Sequence, residues 1–126
     1  MTLRQIAFAL SLLLSPALAS AHGAPPPAAH GGVVAESSGD QWVELVIHGD
    51  QVAAYVMDQD GKPVLSAQLG GKATVLAAGK REEVALTPGE GNSLTGKLAA
   101  AASGKVTAII QLTVSGKPAT VRFAVG

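Results

Sequence analysis

An all-β domain is what this sequence predicts, and three observations predict it. From Val33 onward the chain is a series of short apolar runs punctuated by glycine. Within the runs, β-branched and small apolar residues recur at every second position, the period of a half-buried strand. No segment carries a long stripe at helical spacing, and the one helix-leaning piece, Leu98 to Ala102, is short.

The elements follow in chain order. Residues 1–21, MTLRQIAFALSLLLSPALASA, read as a bacterial secretory signal peptide. Arg4 supplies the positive start, Ile6 to Leu14 the apolar run, and Ala17-Leu18-Ala19 or Ala19-Ser20-Ala21 the cleavage signal. The apolar run falls well short of the roughly 20 residues of a spanning helix. Cleavage would leave a periplasmic or secreted product of about 105 residues, enough for one domain, with no further membrane insertion. Residues 22–32 form a His-, Pro- and Gly-rich arm, expected to be flexible, and the β domain spans 33–126.

Three hairpins are expected, each closing on a two-residue Gly-X loop that suits a type II′ turn. Gly49-Asp50 joins Gln41–His48 to Gln51–Asp58 and pairs Val43 with Val56, Leu45 with Ala54 and Ile47 with Val52. Gly79-Lys80 would pair Val75 with Val84 and Ala73 with Leu86. Gly116-Lys117 would pair Leu112 with Val121, Ile110 with Phe123 and Ala108 with Val125. Each register gathers its apolar partners on one face. Asp60-Gly61-Lys62-Pro63 and Thr87-Pro88-Gly89 mark further turns. Seven or eight strands with one apolar face must pack sheet on sheet, so the expected architecture is a small, thin β-sandwich of immunoglobulin-like or cupredoxin-like type.

Composition excludes several functions. The chain has no cysteine, hence no disulfide, no thiolate metal site and no lipid-anchored cysteine. Without Arg4, eight basic residues face nine acidic ones, and no basic stripe exists to bind nucleic acid. The serines lack a nucleophile-elbow context, the glycine pairs lack P-loop spacing, and no H-E-x-x-H motif occurs, so an enzyme is not expected. In MDQDGKP, Asp58 and Asp60 resemble the start of a calcium loop without its remaining ligands, and a β-turn is the expected reading.

The histidines are the chemical lead. Cutting after Ala21 makes His22 the first residue, whose amine and imidazole would chelate one ion. Cutting after Ala19 leaves Ser-Ala-His, a four-nitrogen set suited to Cu(II) or Ni(II). Pro25-Pro26-Pro27 favours an extended arm, which holds His22 some 25 Å from His30 at about 3.1 Å per residue. His48 lies before the Gly49-Asp50 turn, on the same face as Trp42, Glu44 and Val46, with Tyr55 and Met57 opposite. Trp42 beside Met57 is a soft environment that would suit Cu(I), but such a pair more often reflects packing. His48 lies about 20 Å along the strand from Trp42, too far to share an ion.

The pieces HGGVV, WVELVIHGDQVAAYVMDQDGKPV, GKATVLAAGKREEVALTP and the closing ATVRF resemble small periplasmic proteins of proteobacteria associated with heavy-metal or copper efflux systems. They are also similar to β-sandwich modules of metal-efflux adaptors. The resemblance implies a periplasmic role in metal homeostasis. The expectation is therefore an accessory protein that weakly binds copper or another divalent ion through its arm, with His22 as the main ligand, His30 as the second and His48 as a further candidate. The alternative is a module without metal that docks an efflux adaptor or other envelope protein through an exposed Trp42, Tyr55 and Met57 patch. Oligomeric state is left open.

Overall fold

The structure is a computed structural model that describes residues 23–126. The expected signal peptide, residues 1–21, and His22 therefore lie outside the described residues. Eight antiparallel strands follow one another: β1 (Val33–Glu36), β2 (Trp42–His48), β3 (Gln51–Met57), β4 (Leu69–Ala77), β5 (Lys80–Pro88), β6 (Ser93–Lys97), β7 (Val106–Val114) and β8 (Lys117–Val125). A single 3-10 turn, Ser66–Gln68, precedes β4. The fold is all-β, and no described helix is long and apolar enough to cross a membrane.

The strands form one sheet in the order β1-β2-β3-β6-β5-β4-β7-β8. It folds over on itself, so that β1-β2-β3-β6 and β5-β4-β7-β8 face each other as the two layers of a sandwich. The halves are joined at one side by β5. Its Lys80–Leu86 stretch pairs with β4, while Thr87 and Pro88 pair with Thr95 and Leu94 of β6. Pro88 stands at the strand's last position, where its missing N–H costs no interior ladder bond. At the other side the sheet nearly closes. The Ser38 amide donates to the Thr120 carbonyl at 2.9 Å, and the Thr120 amide donates to Ser38 Oγ at 2.9 Å.

The core lies between the halves. Val43, Leu45, Val52, Ala54 and Val56 from one layer meet Ala73, Val75, Leu86, Ala108, Ile110, Leu112, Val121 and Phe123 from the other. Ala54, Ala73 and Ala108 are fully buried, which lets the layers approach closely. Gly96 serves the same approach where β5 and β6 cross. A Cβ there would lie 2.6 Å from Val84 Cγ1 and 2.8 Å from the Ala85 carbonyl oxygen.

The first hairpin has the expected register, with Gly49 at a φ of 62°. The other two differ. Their loops are Ala78-Gly79 and Ser115-Gly116, one residue earlier than expected, and all four loop residues have positive φ. Val84 therefore pairs with Ala73 rather than Val75, and Val121 with Ile110 rather than Leu112. These are type I′ geometries, whose twist matches the flanking strands. The pairing moves by two residues, so each side chain keeps its face. The apolar pattern alone cannot distinguish the two registers.

Leu98 to Ala102 is not helical. Five residues cannot offset the cost of nucleating a helix, and their amides have tertiary partners instead. Leu98 donates to the Asp50 carbonyl, Ala102 to the Gly49 carbonyl and Ala99 to Glu82 Oε2. The segment caps one end of the sandwich, with the Leu98 side chain buried. The MDQDGKP stretch is a turn. Asp58 Oδ1 accepts the amides of Asp60 and Lys62 at 2.9 Å each, with Gly61 at a φ of 84°.

Candidate functional site

β2 alternates strictly, so Trp42, Glu44, Val46 and His48 face away from the core that Val43 and Leu45 enter. At the centre of that outer face sits a carboxylate, yet Glu44 is only 1% exposed. Its cover is the N-terminal arm. The backbone amides of Ala29, His30 and Gly32 donate to Glu44 at 3.1, 2.8 and 2.8 Å. His30 Nδ1 lies 3.0 Å from Glu44 Oε1. One buried side chain thus collects four contacts from a four-residue segment.

The two glycines of HGG make this wrap possible. Gly31 has a φ of 75°, a left-handed conformation that few other residues adopt. Gly32 passes directly over β2, where a Cβ would fall 2.2 Å from the Leu45 carbonyl oxygen. The chain then enters β1, pairing Val33 with Leu45 and Val34 with Glu44. The arm is therefore not free along its whole length: residues 29–32 are fastened to the sandwich.

Tyr55 completes the site from the neighbouring strand. It stands directly opposite Glu44 in the β2–β3 ladder. Its ring stacks on the His30 imidazole with centroids 3.6 Å apart and planes 5° apart. One cross-strand pair thus holds the histidine, Glu44 by its edge and Tyr55 by its face. His30 and Tyr55 form one wall of an open groove, and Glu90, Asn92, Ser93 and Thr95 lie along the other parts. The 89–93 turn is braced by Ser93 Oγ donating to the Glu90 carbonyl and Asn92 Nδ2 donating to the Val56 carbonyl.

The electrostatics set the proton positions. Burial pushes the Glu44 carboxyl up, but the His30 ring and the amides of Gly32, His30 and Ala29 outweigh it and hold the carboxyl below its usual range. Glu44 is then an ionised, acceptor-only group, so His30 Nδ1 must carry the proton it shares with Oε1. In the neutral ring the lone pair resides on Nε2. His30 is 44% exposed, so this nitrogen belongs to an accessible ring. A carboxylate–histidine pair of this kind suits a metal ligand or a proton acceptor.

The remaining expected residues are dispersed. His48 is exposed at the end of β2, opposite Gln51 and four residues from Glu44, about 13 Å along the strand. Trp42 and Met57 are ladder partners, as expected, but Trp42 is only 6% exposed. The exposed Trp42, Tyr55 and Met57 patch is therefore not present as expected: the tryptophan is buried and the other two are half-buried. Among the described residues no group of three or more His, Cys, Asp or Glu is placed to hold a metal ion. Glu44 is the residue that sequence reasoning missed. Its signal was the lone acid of the apolar run WVELVIH.

Comparison of the chain with protein families, characterised proteins and solved structures gave no match.

Proposed function

We propose that this is an exported, periplasmic accessory protein of metal homeostasis, which binds copper or a similar divalent ion through its N-terminal arm. The observation that carries the reading is the half-exposed His30 ring, whose Nδ1 is tied to a buried carboxylate, which leaves the lone pair on Nε2. Imidazole nitrogen is a good ligand for Cu(II), and a carboxylate behind the ring fixes its tautomer and orientation. The signal-peptide character of residues 1–21 supports export. His22, eight residues upstream, and the amine freed by cleavage would supply the other nitrogens, which requires the arm to turn back through Gly23 or Ala28-Ala29 rather than stay extended through the prolines. Few protein ligands on a tethered arm fit weak, exchangeable binding rather than a permanent cofactor.

Intact-mass spectrometry of the protein recovered from the periplasm, with and without one equivalent of Cu(II), tests this directly. The mass identifies the cleavage site. Retention of one copper is expected, with loss in His22→Ala and in His30→Ala. A wild-type protein that retains no copper, or a double variant that retains it fully, would overturn the reading.

A further inference from the structure

Among the described residues, Glu44 accepts hydrogen bonds from the arm alone: three backbone amides and the His30 ring, all within residues 29–32. The same carboxylate therefore performs two tasks. It holds the arm on the sandwich, and it orients the imidazole within the arm. We propose that Glu44 is a positioning residue that couples these tasks, so that docking of the arm and binding of a metal ion at His30 Nε2 reinforce each other. This rests on the metal reading above and adds a mechanism to it.

The physical argument has three steps. First, an ionised carboxylate can only accept, so the docked arm presents a single tautomer, with the proton on Nδ1 and the lone pair on Nε2. An undocked ring samples both tautomers and all orientations. Second, the amide bonds from Ala29, His30 and Gly32 immobilise the backbone that carries the ring, and Tyr55 stacked at 3.6 Å fixes its plane. The ordering cost of the ligand is thus met before the ion arrives. Third, a cation on Nε2 draws electron density from the ring and makes Nδ1–H a stronger donor. Its bond to Glu44 is charge-assisted and strengthens. Whatever factor the ion adds to docking, docking adds to ion affinity, because coupling free energies are reciprocal.

The test uses the uniformly 15N-labelled chain and Zn(II) as a diamagnetic probe. In the metal-free protein the His30 ring nitrogens are expected to report a proton on Nδ1. Zn(II) should shift the Nε2 resonance and slow hydrogen exchange at the Ala29, His30 and Gly32 amides by about tenfold, a coupling within the usual range. Glu44→Gln should lose the tautomer signature, free the three amides and weaken Zn(II) about 10- to 100-fold, as removing an outer-shell carboxylate does. Unchanged resonances from β7 and β8 establish that the variant is folded, and the wild-type exchange data need no variant. A proton found on Nε2 would overturn the proposal. So would Zn(II) binding at His30 that leaves amide exchange unchanged, or wild-type affinity in a folded Glu44→Gln. In those cases the metal reading survives. A wild-type ring that Zn(II) does not shift overturns both.

Discussion

Glu44 shows how much one side chain can determine. A buried carboxylate in an apolar strand is unfavourable unless its charge is met, and here four donors meet it. Hydrogen bonds to a charged group are each worth about 1.5–3 kcal/mol, and the donors here are partly exposed. Glu44→Ala is therefore expected to cost about 3 kcal/mol, measured by urea unfolding. The pH dependence has a definite sign. The folded carboxyl lies below its usual range, so its contribution is complete above the unfolded value of about 4.3 and is lost as pH falls through the lower folded value. Between pH 7 and pH 3 the wild type should lose stability that Glu44→Gln does not lose. An equal loss in both proteins would place the acid sensitivity elsewhere. Gly32→Ala is expected to disrupt the arm, because its Cβ would meet the Leu45 carbonyl, which is backbone and cannot move aside. Loss of amide protection at Ala29 and His30 would show it.

At the scale of elements, the hairpin turns carry most of the information about register. The Gly49-Asp50 turn needs positive φ at its first position and has glycine there. The two later turns need it at both positions and place Ala78 and Ser115 at the first, with φ of 52° and 50°. Left-handed geometry is unfavourable by about 1–2 kcal/mol for an ordinary L-residue, and asparagine tolerates it best. Ala78→Asn and Ser115→Asn should each raise stability by roughly 1 kcal/mol. An unchanged unfolding midpoint in both would argue against type I′ turns. The arm and β1 behave as one element: Gly31 and Gly32 lead the fastened segment directly into the β1–β2 ladder.

For the whole molecule, a single core between two layers implies a single cooperative transition. Phe123 is the largest fully buried side chain among the described residues and stands opposite the small Ala108 in the β7–β8 ladder. Phe123→Ala should cost about 3–5 kcal/mol and leave one transition in denaturant. Two separate transitions would mean that the halves joined by β5 unfold independently. The β5–β6 crossing and the Ser38–Thr120 contacts close the sheet at its two sides, which leaves the outer face of β2 and β3 as the platform for the arm.

Alternation and turn residues were enough to identify the six strands of the three hairpins, the all-β class, the apolar face of each hairpin and the Trp42–Met57 and Glu44–Tyr55 side of the first one, but not β1 or β6. These are local properties: side-chain direction repeats every two residues, and glycine marks the turns. The same logic could not separate registers two residues apart, because a shift of two keeps every face. It also could not show that the arm returns to β2. His30 and Glu44 lie fourteen positions apart, with the left-handed Gly31 and the reversal between β1 and β2 in between. Burial of that carboxylate, the tautomer of the ring and the stacking on Tyr55 exist only once three segments meet in space. Sequence alone singled out the histidines but not the carboxylate that one of them meets. Tertiary structure decided that His30, rather than His48, has a buried anion behind it, because only folding brings a charge and its donors together away from water.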